Sequence, residues 1–479
     1  MRTRAWRPSA DGQILVVFAA AMVVLILLAG LVFDGAQVLA RRRQLQDAGD
    51  AAALAAANVI QSGSPKGCST TAGDPPGTPR TEVASAAVAM TQANLPGFAA
   101  SDITVTCPDG YANYAVSVSL RDHTPGFFAG IAGIQGFAVG STSVAMNGQL
   151  TSTRYSIVLL DPSYPTWPNG RQGCPSLLVS GGPTLTLEGS MMIDSACPAS
   201  SGGALGTNGN AATITMLNDA TIQMVGQYVP GALTITPAPM QGQRAVRDPF
   251  AGLTPVPVAS LPVRSNSRLT LSGSATVLSP GVYNGGIQMK NSAIAYLRPG
   301  IYVMNGGGFQ IGAQNAVYSI PVSLSSTTDA TWATDCTSTN CGILLFNTGI
   351  SRSTDQVSIG AGAKLMLRPY LASVDGSGLA SAEYNNLLLW QDANPVPTNS
   401  FSQPQVNLSG GGSVNVSGTV YVPSALVYMT GGSGGSGGSQ TDVTLQFVSW
   451  DLQFQGNSSF HFYYRSDQFA KPTDYGLIK

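Results

Sequence analysis

Charge is scarce in this chain. Only 10 % of the 479 residues are Asp, Glu, Lys or Arg, and 23 basic residues against 24 acidic ones leave a net charge of -1. Phosphate binding needs clustered Lys and Arg, so nucleic acid is not an expected partner. Histidine is scarcer still: His123 and His461 stand alone in sequence. His461 alternates with Phe460 and Phe462, which reads as a solvent-facing strand position. No His-Glu-x-x-His is present, and Gly-x-Ser-x-Gly occurs only within the low-complexity GGSGGSGGS run at 431–439, which reads as a surface loop and not a nucleophile elbow, so the familiar zinc-protease and hydrolase signatures are excluded. No Cys-x-x-Cys repeat occurs either, which removes the usual zinc spacing. We expect no metal, no cofactor and no enzymatic activity.

What is abundant is apolar and small. At 44 % hydrophobic the composition is too apolar for a disordered chain, and 56 glycines supply many turns. The most informative stretch is Gly12 to Ala57, GQILVVFAAAMVVLILLAGLVFDGAQVLARRRQLQDAGDAAALAAA. Ile14 to Phe33 holds twenty uncharged residues, enough to cross the ~30 Å hydrocarbon layer as a helix. The helical pattern continues beyond it. Asp34 marks the exit, Arg41, Arg42 and Arg43 follow, and no Gly or Pro interrupts Ala51 to Gln61. A cleaved secretory signal would carry a shorter apolar region, and here the helix runs past any cut. The expected element is one long helix, lipid-embedded first and water-exposed later.

The order of these residues (glycine, apolar span, Asp34, the Arg41–Arg43 run, Gln46, Asp50, alanines) resembles the N-terminus of the TadE/TadG-like proteins of the bacterial tight-adherence, or Flp, pilus apparatus. The likeness covers about the first 60 residues. It implies a pilin-like stem that packs laterally with other pilin-like or pilus-assembly proteins. Gly30 and Gly35 sit five apart and do not form a GxxxG face, whereas Ala19–Ala21 and Ala29 offer small contacts. Asp34 and Arg41–Arg43 would set depth at the membrane surface or pair with partner helices. A prepilin cleavage site wants glutamate five residues after the glycine, and Val17 stands there. Retention as a membrane anchor follows.

Six cysteines lie beyond the span: Cys68 and Cys107, Cys174 and Cys197, Cys336 and Cys341. Fifteen pairings are possible, and the sequential one is expected because each pair brackets one local loop. Disulfides need an oxidising compartment. Arg2, Arg4 and Arg7 favour a cytoplasmic N-terminus, Arg41–Arg43 argue against it, and the cysteines decide for it. The expected location is the bacterial inner membrane, single-pass, with the bulk of the chain periplasmic or extracellular.

Along the chain we expect a cytoplasmic tail at 1–13, the transmembrane helix at 14–33, its extension at 34–62 and a Gly/Pro-rich linker at 63–79. A small α+β domain follows at 80–150. Its expected parts are a helix from Thr81 to Leu95, strands at Ile103–Cys107, Tyr114–Leu120 and Phe137–Met146, and a short apolar segment at Phe127–Ile134. The stretch from Phe127 through Ala145 also resembles the segment that follows the stem in TadG-like proteins.

Residues 151–479 carry short strands bounded by Gly, Asn, Ser or Pro, such as Thr184–Leu187, Thr213–Met216 and Leu269–Leu271. Leu278-Ser-Pro-Gly-Val-Tyr283 recurs as Leu297-Arg-Pro-Gly-Ile-Tyr302, 19 residues on. Such a period indicates a solenoid, read here as a right-handed parallel β-helix, with a β-sandwich as the alternative. Gly418–Pro423, Val427–Met429, Val443–Phe447 and Leu452–Gly456 read as successive rungs, with GGSGGSGGS at 431–439 as a surface loop. Phe460–Tyr464 is expected to cap the open end.

Tyr155 to Pro165 resembles the first strand of a von Willebrand A domain, whose Asp-x-Ser-x-Ser binds a divalent metal. Asp161 and Ser163 match, but Pro165 has no side-chain oxygen to offer. A second functional reading is a membrane-tethered β-helix that binds or cleaves polysaccharide, with surface glycans as partners. Cleavage would need paired carboxylates, and the acidic residues of this region are scattered.

Overall fold

The computed structural model describes residues 11–61, 67–69, 77–109, 111, 113–149, 155–162, 174–322, 336–337, 339–351, 353–392, 405–409, 414–431, 441–457, 459–471 and 473–478. The arginines of the tail, most of the 63–79 linker, Ser163 and Pro165, and nearly all of the 431–439 loop lie outside the described residues. The chain forms two compact units, Met1–Thr151 with Thr473–Lys479, and Ser152–Pro472.

In the first unit, helix α1 runs from Asp11 to Ile60, fifty residues without a break. Its two halves differ. Apolar side chains from Leu15 to Phe33 are largely exposed, while Leu45, Ala48, Ala52, Ala53, Ala56, Ala57 and Ile60 are buried. The buried set recurs at three- and four-residue steps, so it forms one face. Alanines on that face let the helix approach closely. It packs against helix α2 (Thr81–Asn94) and against a sheet of strands β1 (Ile103–Thr106), β2 (Ala115–Pro125) and β3 (Gly136–Gln149). The last turn of α1 leaves carbonyls without intrahelical partners. Arg80 supplies them, donating to the carbonyls of Val59 at 2.9 Å and Ile60 at 3.4 Å. The Cys68–Cys107 disulfide ties the chain after α1 to the end of β1.

The sheet has a fourth strand that the sequence reading placed elsewhere. Thr473–Leu477 pairs antiparallel with β3, Thr473 opposite Gln149 and Leu477 opposite Ala145. The C-terminus therefore belongs to the first unit, not to a β region running to residue 479. Phe127–Ile134 forms a loop with a short 3-10 turn at Ala129–Ala132.

The second unit is a large parallel β-structure; among its described strands no pair is antiparallel, which removes the sandwich alternative. A strand typically pairs with the strand three places along the chain. Gly281–Asn284 pairs with Gly300–Asn305, that with Ile343–Asn347, and that with Leu387–Gln391. Leu269–Ser272, Ile287–Lys290 and Phe309–Ile311 make a second ladder, and Ala275–Leu278, Ile294–Leu297 and Ala316–Ser319 a third. Asn and Gln side chains bridge neighbouring strands, as Asn305 to Asn284 at 2.8 Å and Asn347 to Gln391 at 2.6 Å.

Two expectations change here. Gly418–Pro423 and Val427–Met429 are not successive rungs but parts of one strand, Val414–Thr430, that contributes to all three ladders in turn. Thr441–Gly456 behaves likewise. Phe460–Tyr464 does not cap an end either: Ser459–Phe462 lies between Thr441–Val443 and Thr184–Leu187. The cause is the order of strands in space. Phe447–Ser449 pairs with Ile157–Leu159, so the last strands of the unit join its first ones in mid-stack. The ends are instead Val263–Leu278 and Ile222–Thr236.

Between those ends runs a strap, residues 237–262. Phe250, Leu253, Val256 and Leu261 are buried in it. They cover a row that register places side by side: Val158, Val448, Tyr421, Trp390, Phe346, Val303 and Val282. This ladder is thus covered on both faces, which explains continuous runs such as Ile343-Leu-Leu-Phe and Leu387-Leu-Leu-Trp. Polar contacts fix the strap. Tyr421 donates to Asp248 at 2.8 Å, Tyr384 to the Thr254 carbonyl at 2.9 Å, and the Val246 N–H to Asp194 at 3.0 Å. The remaining disulfides, Cys174–Cys197 and Cys336–Cys341, belong to this unit.

Candidate functional site: the exit of the apolar helix

The residues singled out on the stem meet the head of their own unit. Asp34 is buried, and its carboxylate accepts three backbone N–H groups of the apolar loop: Phe127 at 3.0 Å, Phe128 at 3.3 Å and Ala129 at 2.7 Å. A carboxylate at the start of a helical turn satisfies the free donors there. Asp34 thus has partners within its own unit that the sequence reading did not name. Above it, Arg41 donates to Asp122 of β2 at 2.5 Å and to Gln44 at 3.1 Å. Arg42 and Arg43 are exposed, so of the basic run these two face outward.

Gln46 and Asp50 form a three-membered cluster with Ser143 of β3. Gln46 donates to Asp50 at 2.8 Å and to Ser143 at 3.2 Å, and Ser143 donates to Asp50 at 2.6 Å. A Cβ at Gly49 would lie 2.9 Å from the Ser143 hydroxyl, so glycine is what allows this approach. The Gln-x-x-x-Asp spacing, one helical turn, thus fastens stem to sheet.

Sequence reasoning missed the contact partner of Gly30. A Cβ there would fall 2.5 Å from Phe128, so the loop ring rests directly on the helix backbone. Phe33, Phe127 and Phe128 make mutual edge-to-face contacts, with centroids 5.2–6.3 Å apart. The available signal was Phe127-Phe128 set in a Gly-rich apolar segment. Nothing in sequence distance linked it to residue 30.

The helix α1 is long and apolar enough to cross a membrane. Residues 12–59 match the family described as Flp pilus-assembly TadE/G-like. The likeness covers this segment, about a tenth of the chain. No curated protein matches the chain, and no solved structure does. The TadE/G-like segment ends one residue short of the end of α1, so it takes in both the exposed apolar half and the half buried in the head.

Elsewhere the chemistry is sparse. Asp161 is buried after the strand Tyr155–Leu159, with its N–H donated to the Trp450 carbonyl. Among the described residues no group of three His, Cys, Asp or Glu converges. His461 is not solvent-facing: its side chain is 15 % exposed, with its ring 4.1 Å from that of Tyr463 and its Nε2 3.6 Å from Glu188. An apolar cavity of about 70 Å³ lies inside the second unit, walled by residues such as Phe309, Leu345, Val406 and Phe460. Such a lining offers no acid–base pair.

Proposed function

We propose that this chain is a membrane-anchored component of a tight-adherence (Flp-type) pilus assembly system, acting as a structural, adhesive or assembly protein without catalysis. The observation that carries this reading is the TadE/G-like match over residues 12–59. The anchor would be the apolar half of α1, single-pass in the bacterial inner membrane, with the rest of the chain in the periplasm or outside. Three disulfides suit an oxidising compartment. Lipid-exposed helix surface from Leu15 to Phe33 leaves room for lateral contact with other pilin-like helices.

For the second unit the reading is a right-handed parallel β-helix. Parallel pairing at a three-strand interval supports it, and crossovers between parallel strands are almost always right-handed. Its role would be an extended surface for adhesion or subunit contact. The glycan-binding alternative has less support. Among the described residues of this unit no Phe, Tyr or Trp is strongly exposed, so the platform on which sugar rings stack is not in evidence.

The test is in-cell photo-crosslinking of the full-length protein from Leu25, 65 % exposed on the apolar helix, followed by mass spectrometry. Recovery of pilus subunits or assembly-platform proteins is expected. Adducts to unrelated membrane proteins alone, with cell-wall glycan retained by the protein, would transfer the function to the β-structure.

A further inference from the structure

The geometry points to a second membrane contact: the loop Phe127–Ile134 enters the interfacial layer of the same leaflet through which α1 leaves, seating the first unit on the lipid. This rests on the membrane-anchor reading above. Three observations carry it. Phe127, Ile131 and Ile134 are 71 %, 76 % and 50 % exposed, and no charged residue lies between Pro125 and Phe137. Large apolar side chains clustered at one loop are unusual on a water-facing surface.

The second observation is depth. Phe128 rests on Gly30, a full turn inside the twenty-residue span that ends at Phe33. If the loop stayed in water, the buried span would stop at Ala29. Ile14 to Ala29 is sixteen residues, about 24 Å of helix, short of the ~30 Å hydrocarbon layer. Placing the loop in the interface removes that deficit. The third is the way the loop is held. Asp34 binds the N–H groups of Phe127–Ala129, so the backbone polar groups closest to the lipid are satisfied within the protein. Arg41, paired with Asp122 of β2, then lies further along α1, on the water side. An apolar element lying in the interface plane is a known mode of membrane contact.

The occupant proposed for this surface is lipid, not a neighbouring helix. Its exposed Phe127 meets Phe33, itself exposed at the end of the apolar half of α1, the surface that the bilayer itself must cover.

The test uses full-length protein in vesicles of phosphatidylethanolamine and phosphatidylglycerol. Among the described residues no cysteine is free, so an introduced one takes an environment-sensitive fluorophore selectively. Val24→Cys reports the span, Ile131→Cys the loop, and Thr104→Cys, exposed on β1, the water. We expect the probes at 24 and 131 to be blue-shifted and quenched by brominated acyl chains, with the probe at 104 quenched only by aqueous iodide. Lipid quenching at 24 with iodide quenching at 131 would overturn the loop proposal and leave the anchor standing. A blue-shifted probe at 131 shielded from both quenchers would also overturn it, in favour of a protein neighbour. No lipid quenching at either site would retire the anchor reading and this proposal with it.

Discussion

Asp34 illustrates how one side chain joins two parts of a chain 93 to 95 residues apart. Its Oδ1 serves Phe127 and Phe128, and its Oδ2 serves Ala129. Asp34→Ala should leave three N–H donors without their acceptor at once and loosen the loop. Faster hydrogen exchange at the Phe127–Ala129 amides is the expected reading; unchanged exchange would show that the loop is held by its aromatic contacts alone. A second residue-scale prediction concerns the strap. Burial pushes the Asp194 carboxyl up to about 6, against the opposing pull of the Val246 N–H. A folded-state value above the unfolded one means that ionisation disfavours the fold. The penalty is absent below about pH 4, where both states are protonated, and complete above about pH 6. The second unit should therefore gain stability on acidification from pH 7 to pH 5 through this group. Thermal unfolding of Asp194→Asn should show a smaller gain over the same range; an identical gain would exclude Asp194 as its source. Asp34, Gln46 and Asp50 stand out in the sequence as a pattern, but their partners do not. Ser143 is one serine among many, and the main-chain donors of Phe127–Ala129 leave no mark in side-chain chemistry.

Each long element here has a composition that matches two different surroundings. In α1 the change from Leu, Val and Phe to Ala and Arg follows the change from exposed to packed helix, and it is legible because both halves keep a helical period. The second ladder of the second unit is legible for a similar reason. Leu269-Thr-Leu-Ser and Ile287-Gln-Met-Lys alternate between the interior and water. The ladder under the strap is not. Its strands are buried on both faces, so alternation vanishes, and Phe250 and its neighbours make no ladder of their own. Phe250→Ala should cost the second unit about 3–5 kcal/mol, the usual range for a buried aromatic. Chemical denaturation of the full chain measures it, and a loss under about 1 kcal/mol would show that the strap contributes little beyond covering the row.

On the scale of the molecule, the order of strands is the feature least visible in sequence. The visible repeat of Leu278–Tyr283 and Leu297–Tyr302 pairs neighbours, with Leu278 opposite Leu297. The joint between Phe447–Ser449 and Ile157–Leu159 spans some 290 residues, and no local pattern encodes it. A chain ending at Gly431 would lose the strands that join the two runs. It should show amide exchange at Tyr155–Leu187 well above that of the full chain; equal protection would mean that the first strands stand without the last. The C-terminal strand Thr473–Leu477 was equally hidden, since five residues added to the edge of a distant sheet resemble any short terminal strand. In the proposed function the apolar half of α1 anchors both units outside the inner membrane. Protease protection of the full-length protein, compared between spheroplasts and inverted inner-membrane vesicles, tests it most directly. Digestion of both units in spheroplasts, with their protection in inverted vesicles, is the expected result. Protection in spheroplasts with digestion in inverted vesicles would contradict it.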